Sequence, residues 1–269
     1  VILTWLYAPG DRPEVVAKAL SRGADAVIVD LEDAVAVSRK EYARAATAEL
    51  LTERPPVPVH VRVNALDSPW GGADLTALAG LRGLAGLRLP KISAPEQITA
   101  VADRTGGVGL HALLESALGV ERAYEIARAH PALHGLSLGE ADLRADLGVS
   151  AEAGLDWPRS RVVVAARAAG LAPPAQSVFP DIRDLEALAA SCARGRALGF
   201  LGRAAIHPRQ LPVIEQAYLP GPEEVTAAEE IVTAARATPG AQALPDGRFI
   251  DPAVVAAAHR TLALAGRPR

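Results

Sequence analysis

The chain has 269 residues, is 50% hydrophobic and carries a formal net charge of −3. That balance marks no surface for nucleic acid or an anionic membrane. No apolar run approaches the roughly 20 residues that span a bilayer, and no signal-peptide pattern is present.

Cys192 is the only cysteine, so no intrachain disulfide forms, which fits a reducing cytoplasm. Cys192 itself reads as a small buried residue in an Ala-rich helix. The chain opens on Val1 rather than Met, as after trimming.

Short apolar runs then alternate with Ala-rich helical patterns. "ILTWLYAP" predicts a first strand, and "DRPEVVAKALSRG" a helix with Asp11 as N-cap, Glu14 three residues on and Gly23 as stop. Val15, Val16, Ala19 and Leu20 share its apolar face. "AVIVDLED" is the second strand, and Ser38 with Glu41 forms a capping-box pattern opening "SRKEYARAATAELL". "PVHVRVN" is the third strand and "GLRLPKI" the fourth, after which Ser93 and Glu96 repeat the capping signal. "GLHALLES" is the fifth, followed by the helix "ALGVERAYEIARAH"; "LHGLSLGEADL" is the sixth, followed by "WPRSRVVVAARAAG". "AQSVF" is the seventh, "DLEALAASCARGRALG" its helix, and "GFLGRAAIHP" the eighth.

Eight strands alternating with helices predict an α/β fold, a (β/α)8 TIM barrel over residues 1–218. No Gly-x-Gly-x-x-Gly follows the first strand, which disfavours an open dinucleotide-binding sheet. The Pro/Gly-rich "LPGPEEV" bounds a short C-terminal helical extension, residues 219–269. It holds two helices, "EEVTAAEEIVTAARA" and "PAVVAAAHRTLALAG", joined by "LPDGRFID".

In such barrels the functional residues stand at the C-terminal ends of the strands. Here those ends read Pro9-Gly10-Asp11-Arg12, then Asp30, Glu32 and Asp33, then Arg62 and Asn64. Lys91, Glu115, Glu140 with Asp142, Gln176 and His207 follow. By strand alternation Asp30 and Glu32 lie on one face and Asp33 on the other. Asp30 reads as a loop anchor. Glu115 and Asp142 follow consecutive strands. Two carboxylates brought together repel unless one is protonated or a cation lies between them, and a hard cation such as Mg²⁺ takes one or two carboxylates and keeps waters. Helix caps and rim charges produce the same pattern, so spacing alone leaves both readings open.

Arg62 lies within an apolar strand and shares a face with His60 and Asn64. It suits either a structural ion pair with a mouth carboxylate or a fork for a substrate carboxylate. Lys91 suits a pair with Glu32 or Asp33, a contact to a substrate oxygen, or a Schiff-base nucleophile. His207 suits a general base or a loop-orienting role, and the remaining histidines show no metal-ligand spacing.

The stretches "YAPGDRPEVVAKAL", "VIVDLEDAVAVSRKEYAR", "VHVRVNALDSPWGGADL", "RLPKI", "LLESALGV", "LGEADLRADLG", "GRAAIHPRQLPVI" and "DGRFIDPAVV" together resemble the citrate lyase β-subunit family, within the aldolase and malate-synthase-like barrel group. The resemblance covers almost the whole chain. It implies a Mg²⁺-dependent barrel, cytoplasmic and assembled as a homotrimer or hexamer, that cleaves a C–C bond β to a thioester carbonyl. Glu115 and Asp142 would be the metal ligands, and Glu115 would also touch substrate. Arg62 would bind the carboxylate or keto end of the substrate, with Lys91 beside it. Glu32 and Asp33 would support the site, Arg12 would lie near the thioester, and Asp251 would reach a neighbouring subunit's site. Two positions depart from the family pattern. The first acid of its Gly-x-Glu-Asp-Leu motif has moved by one residue to Glu140, and Gln176 stands where the family has an acid.

The substrate implied is a malyl, citramalyl or citryl thioester of CoA or of an acyl-carrier protein, releasing an acyl thioester and a keto acid. A β subunit of a multi-protein citrate lyase fits the same residues. A catalytically silent barrel that binds a metabolite or partner is the reading from another class, and intact Glu115, Asp142 and Arg62 count against it.

Overall fold

The apolar runs form seven parallel strands in one sheet: β1 Thr4–Pro9, β2 Ala26–Asp30, β3 Val59–Arg62, β4 Leu84–Leu89, β5 Leu110–Leu114, β6 Leu133–Leu138 and β7 Arg203–Ala205, in the order β6-β5-β4-β3-β2-β1-β7. All five residues of β2 are buried, as expected of parallel strands covered on both faces. The structure is a computed structural model and describes residues 1–237, 240–243 and 247–267.

Helices return the chain between strands, and one more follows β7. They are α1 Pro13–Ala19, α2 Lys40–Leu50, α3 Gly71–Leu78, α4 Pro95–Thr105, α5 Ala117–Glu121, α6 Ala123–Ala127, α7 Glu140–Leu147, α8 Asp156–Ala168, α9 Leu185–Leu198 and α10 Leu211–Tyr218. Beyond them lie α11 Pro222–Ala237 and α12 Pro252–Ala265. Among the described residues no helix is long and apolar enough to cross a membrane. Cys192 is fully buried on α9.

The sheet is strongly curled. β1 and β5 stand four places apart, a separation of ~19 Å in a flat sheet, yet the rings of Trp5 and His111 are 6.1 Å apart. His60 sits between them, 4.9 Å from Trp5 and 4.8 Å from His111. These three rings plug the interior. Glycines on the adjacent strands make room for them: a Cβ on Gly86 would lie 2.6 Å from the His60 ring, and one on Gly135 2.7 Å from the His111 ring. The seven strands curl into a half-barrel. Where the sequence predicts a seventh strand at "AQSVF", the structure has a single parallel bridge, Gln176 to Arg203. The predicted eighth strand is therefore β7.

Helix starts also differ from their predicted caps. Asp11 does not cap α1; Arg12 holds the N-cap position and makes no side-chain cap bond, because a guanidinium only donates, and Pro13 follows as the first helical residue. Ser38 lies inside a 3-10 turn, Val37–Arg39, that runs into α2. At α4 the cap works from the other end, with Gln97 Oε1 accepting from the backbone N–H of Ser93 and Ala94.

Two units are compact in themselves, Ile2–Glu215 and Gln216–Arg269. In the second, α11 and α12 pack through Ala228, Val232 and Ala258. A short antiparallel pair, Gln242–Ala243 with Phe249–Ile250, lies between the two helices in the chain. Residues 244–246 of the predicted connection "LPDGRFID" lie outside the described residues.

The histidine plug sets a pH dependence. Burial, with Arg88 close by, pushes His60 down to about 3 and His111 well below its ordinary value. Below about pH 6.5 the unfolded chain binds protons at these rings and the folded chain does not, so stability falls with pH. Each ring contributes up to about 1.4 kcal/mol per pH unit. Urea unfolding between pH 6.5 and 4.5 should show a shallower loss in a His60→Phe, His111→Phe double variant than in the wild type.

Candidate active site

β2 ends at Asp30, and the chain then turns, so strand alternation no longer applies to the acids beyond it. Asp30 accepts from the backbone N–H of Glu32 at 2.9 Å and of Ala34 at 3.1 Å, which folds the turn over the strand end. Arg62, opposite Asp30 on β3, donates from Nε and Nη2 to its two oxygens at 2.7 and 2.6 Å. Nη1 of Arg62 meets Glu32 and Asp33, each at 3.1 Å. Asp33, predicted on the other face, thus joins the same guanidinium. Asn64, predicted to share a face with Arg62, instead donates to Asp74 at 2.7 Å, because β3 has ended. Buried Lys40 holds the acidic turn from behind through the carbonyls of Leu31 and Glu32, at 2.8 and 2.6 Å.

Lys91 links this cluster to the next acid. Among the described residues it is the non-glycine residue with positive φ, 55°, an unfavourable conformation for a side chain with a Cβ. In that geometry its Nζ lies 3.3 Å from Glu32 while its backbone N–H donates to Glu115 Oε1 at 2.6 Å. Glu115 follows β5 and is 5% exposed. Its carboxylate occupies space left by Gly139 at the end of β6, where a Cβ would lie 2.1 Å from Glu115 Oε2. Asp142 stands one turn further, in the first turn of α7.

Glu115, Asp142, Arg62 and Asp33 line one cavity of about 830 Å³, together with Tyr7, Arg88 and Arg203. Burial raises Glu115 to about 7, with the Lys91 N–H opposing and the charges of Glu32 and Asp142 adding to the rise. Burial likewise raises Glu32. Two carboxylates facing one cavity suit a hard oxygen-seeking cation that keeps some of its waters. Among the described residues no group of three or more His, Cys, Asp or Glu could hold a metal ion. The donor set is therefore two carboxylates at most, which fits Mg²⁺ better than a metal seeking nitrogen or sulfur ligands.

The other expected residues fall elsewhere. Arg12 is exposed at the start of α1. Asp251 belongs to the second unit, where its Oδ1 caps α12 by accepting from Val254 N–H at 2.9 Å. His207 accepts from Arg209 N–H at 3.1 Å and opens a 3-10 turn. Glu140 is held by buried Arg159, which donates to its two oxygens at 2.8 and 2.6 Å. Gln176 accepts from Arg203 at 3.2 Å. Sequence reading missed Arg88, Arg159 and Lys40. For Arg88 a signal was available, since "GLRLPK" places a charged side chain inside an apolar strand.

The HpcH/HpaI aldolase/citrate lyase family matches residues 3–208. The chain is 37% identical to the (3S)-malyl-CoA thioesterase of Cereibacter sphaeroides, over 97% of this chain and 93% of that one. It is also 37% identical to the citrate lyase subunit beta-like protein of Mycobacterium tuberculosis, over 97% and 95%. Among solved structures, M. tuberculosis CitE in complex with magnesium, acetoacetate and coenzyme A superposes with a TM-score of 0.86 at 35% identity, covering 98% of each chain.

Two outcomes follow from the packing of Glu115. Gly139→Ala should displace the carboxylate and weaken stabilisation by Mg²⁺, read as the loss of the Tm increase, while far-UV circular dichroism stays native. With Glu115 as a ligand, Mg²⁺ affinity of the wild type, followed by calorimetry, should fall about tenfold per pH unit below about 7, since the cation would have to displace the proton that burial holds there.

Proposed function

The chain belongs to the HpcH/HpaI aldolase/citrate lyase family, and from that premise we propose that it is a Mg²⁺-dependent carbon–carbon lyase acting on a malyl, citramalyl or citryl thioester. The observation that carries this reading is the pair Glu115 and Asp142 on one cavity with Arg62. On this reading the curled sheet is the family's (β/α)8 barrel, with the seventh strand reduced to the Gln176 bridge. The protein works in the cytoplasm as an assembly of three or six copies.

Glu115 and Asp142 would hold the Mg²⁺. When bound, the ion supplies Lewis acidity toward substrate oxygens. The β-hydroxyl gives up its proton, its oxygen becomes the new keto carbonyl, and the electrons of the breaking C–C bond pass to the thioester as an enolate that is then protonated. Arg62 provides fixed positive field beside the oxygen where charge gathers. Its ion pairs with Asp30 and Glu32 keep that field oriented. Lys91 braces Glu115 through its backbone and Glu32 through its side chain. Arg12 lies toward the thioester, and Asp251 serves the site of a neighbouring copy.

A second reading is favoured by the relative named as a malyl-CoA thioesterase. The same cavity would then direct water to the thioester and release free CoA and the intact hydroxy acid. A carrier-protein thioester in place of CoA is the third possibility, as for a citrate lyase β subunit.

Product analysis separates them. Purified protein with Mg²⁺ and malyl-, citramalyl- or citryl-CoA should form acyl-CoA and a keto acid. Glu115→Gln and Asp142→Asn should each lower kcat/KM on the order of 10³-fold. Free CoA with intact hydroxy acid would replace the lyase with a hydrolase, and turnover unchanged in Glu115→Gln would remove the metal assignment.

A further inference from the structure

Two arginines stand opposite each other across β3 and β4, Arg62 and Arg88. Their surroundings differ sharply. Arg62 meets three carboxylates. Arg88 meets none among the described residues, although it is 4% exposed. Its guanidinium lies over the Trp5 ring, 4.3 Å from the centroid. Nη1 reaches Ser137 Oγ at a long 3.4 Å, and Nε has no hydrogen-bond partner among the described residues. Arg88 lines the same cavity as Glu115 and Arg62.

A buried guanidinium stays charged, and a buried charge without a counter-ion is costly. Tyr7, the acidic group whose charge acts most on Arg88, is itself raised by burial and stays a neutral phenol. The cavity therefore keeps a positive fork with open donors, a geometry made for a carboxylate.

We infer that Arg88 is the receptor for a second carboxylate on the keto-acid half of the substrate, so that this chain takes a keto diacid in preference to a keto monoacid. The inference rests on the lyase reading above and names the substrate class of that site.

Level and reach agree with it. Ser137, which Arg88 touches, precedes Gly139 by two residues on β6, and Gly139 is the residue packed against Glu115. Ser137 also pairs in register with Leu113, two residues before Glu115. One pleat repeat, roughly 6–7 Å, thus separates the guanidinium level from the carboxylates at the mouth. A four-carbon keto diacid, with its distal carboxylate two carbons from the keto carbon, spans that step once hydrogen-bond lengths are added. Arg62, already engaged by Asp30, Glu32 and Asp33, has few donors left for the same task.

The test is calorimetry of Mg²⁺-loaded protein with oxaloacetate and with pyruvate, alongside the Tm of the ligand-free protein. The wild type should bind oxaloacetate on the order of 10²-fold more tightly than pyruvate. Arg88→Met should abolish that preference, leave pyruvate affinity unchanged and raise the ligand-free Tm, since it removes an uncompensated charge and keeps contact with Trp5. Arg88→Lys should restore part of the preference. A preference that survives in Arg88→Met overturns the assignment, as does equal weakening of both ligands with a lowered Tm, the signature of a structural brace. If neither keto acid binds the wild type with Mg²⁺, the lyase reading falls and the assignment falls with it.

Discussion

The two-pronged bond between Arg62 and Asp30 is the constraint on which the mouth of this sheet depends. Breaking a pair this enclosed costs roughly 3–5 kcal/mol, because it leaves the partner charge buried and alone. With the pair made, Asp30 is free to fold the following turn through its backbone contacts, and the turn carries Glu32 and Asp33 back onto the same guanidinium. Lys91 continues the chain from Glu32 to Glu115, and Gly139 receives Glu115 on the far side. One connected set of contacts thus runs from β2 to the end of β6. It runs through strand ends and turns, with α2 supporting the acidic turn through Lys40 and α7 carrying Asp142.

This explains why the acids survive burial. Arg62 and Lys91 answer the buried Asp30 and Glu32 at short range, Lys40 holds the Glu32 backbone carbonyl, and Asp33, which also meets Arg62, is exposed to water. Glu115 is different: it receives one backbone N–H, and burial raises its proton affinity, with the charges of Glu32 and Asp142 adding to the rise and that of Arg62 opposing it. Unequal treatment of neighbouring carboxylates separates the braced acids from Glu115, whose raised proton affinity marks it as a candidate functional group.

Much of this was legible in the residues. The strands were visible because parallel strands buried on both faces are written as unbroken apolar runs, and the acids at their ends stood out against them. Three features were not legible. Asp33 was assigned by alternation to the wrong face, since alternation stops where β2 stops, at Asp30. The seventh strand was read from "AQSVF", but only Gln176 makes a strand-like bridge there. Asn64 was grouped with Arg62 on the assumption of a longer β3, whereas its partner is Asp74 on α3. Arg88 differs from these three: its charge inside an apolar strand is a legible signal, while its missing counter-charges become visible only when every neighbouring strand is in place.

The three-ring plug has a consequence for how this interior can change. Trp5 lines the cavity, while His60 and His111 support it from behind and are themselves seated against Gly86 and Gly135. Volume missing on one strand is thus supplied by a ring on the next. The depth of the cavity belongs to ring–glycine pairs rather than to any single position. A methyl added at a glycine would be felt by the ring beside it, then by Trp5, and finally by Arg88, whose guanidinium lies over the Trp5 ring. Drift in cavity depth within such a curled sheet would therefore proceed by paired exchanges on adjacent strands, away from the acids at the mouth.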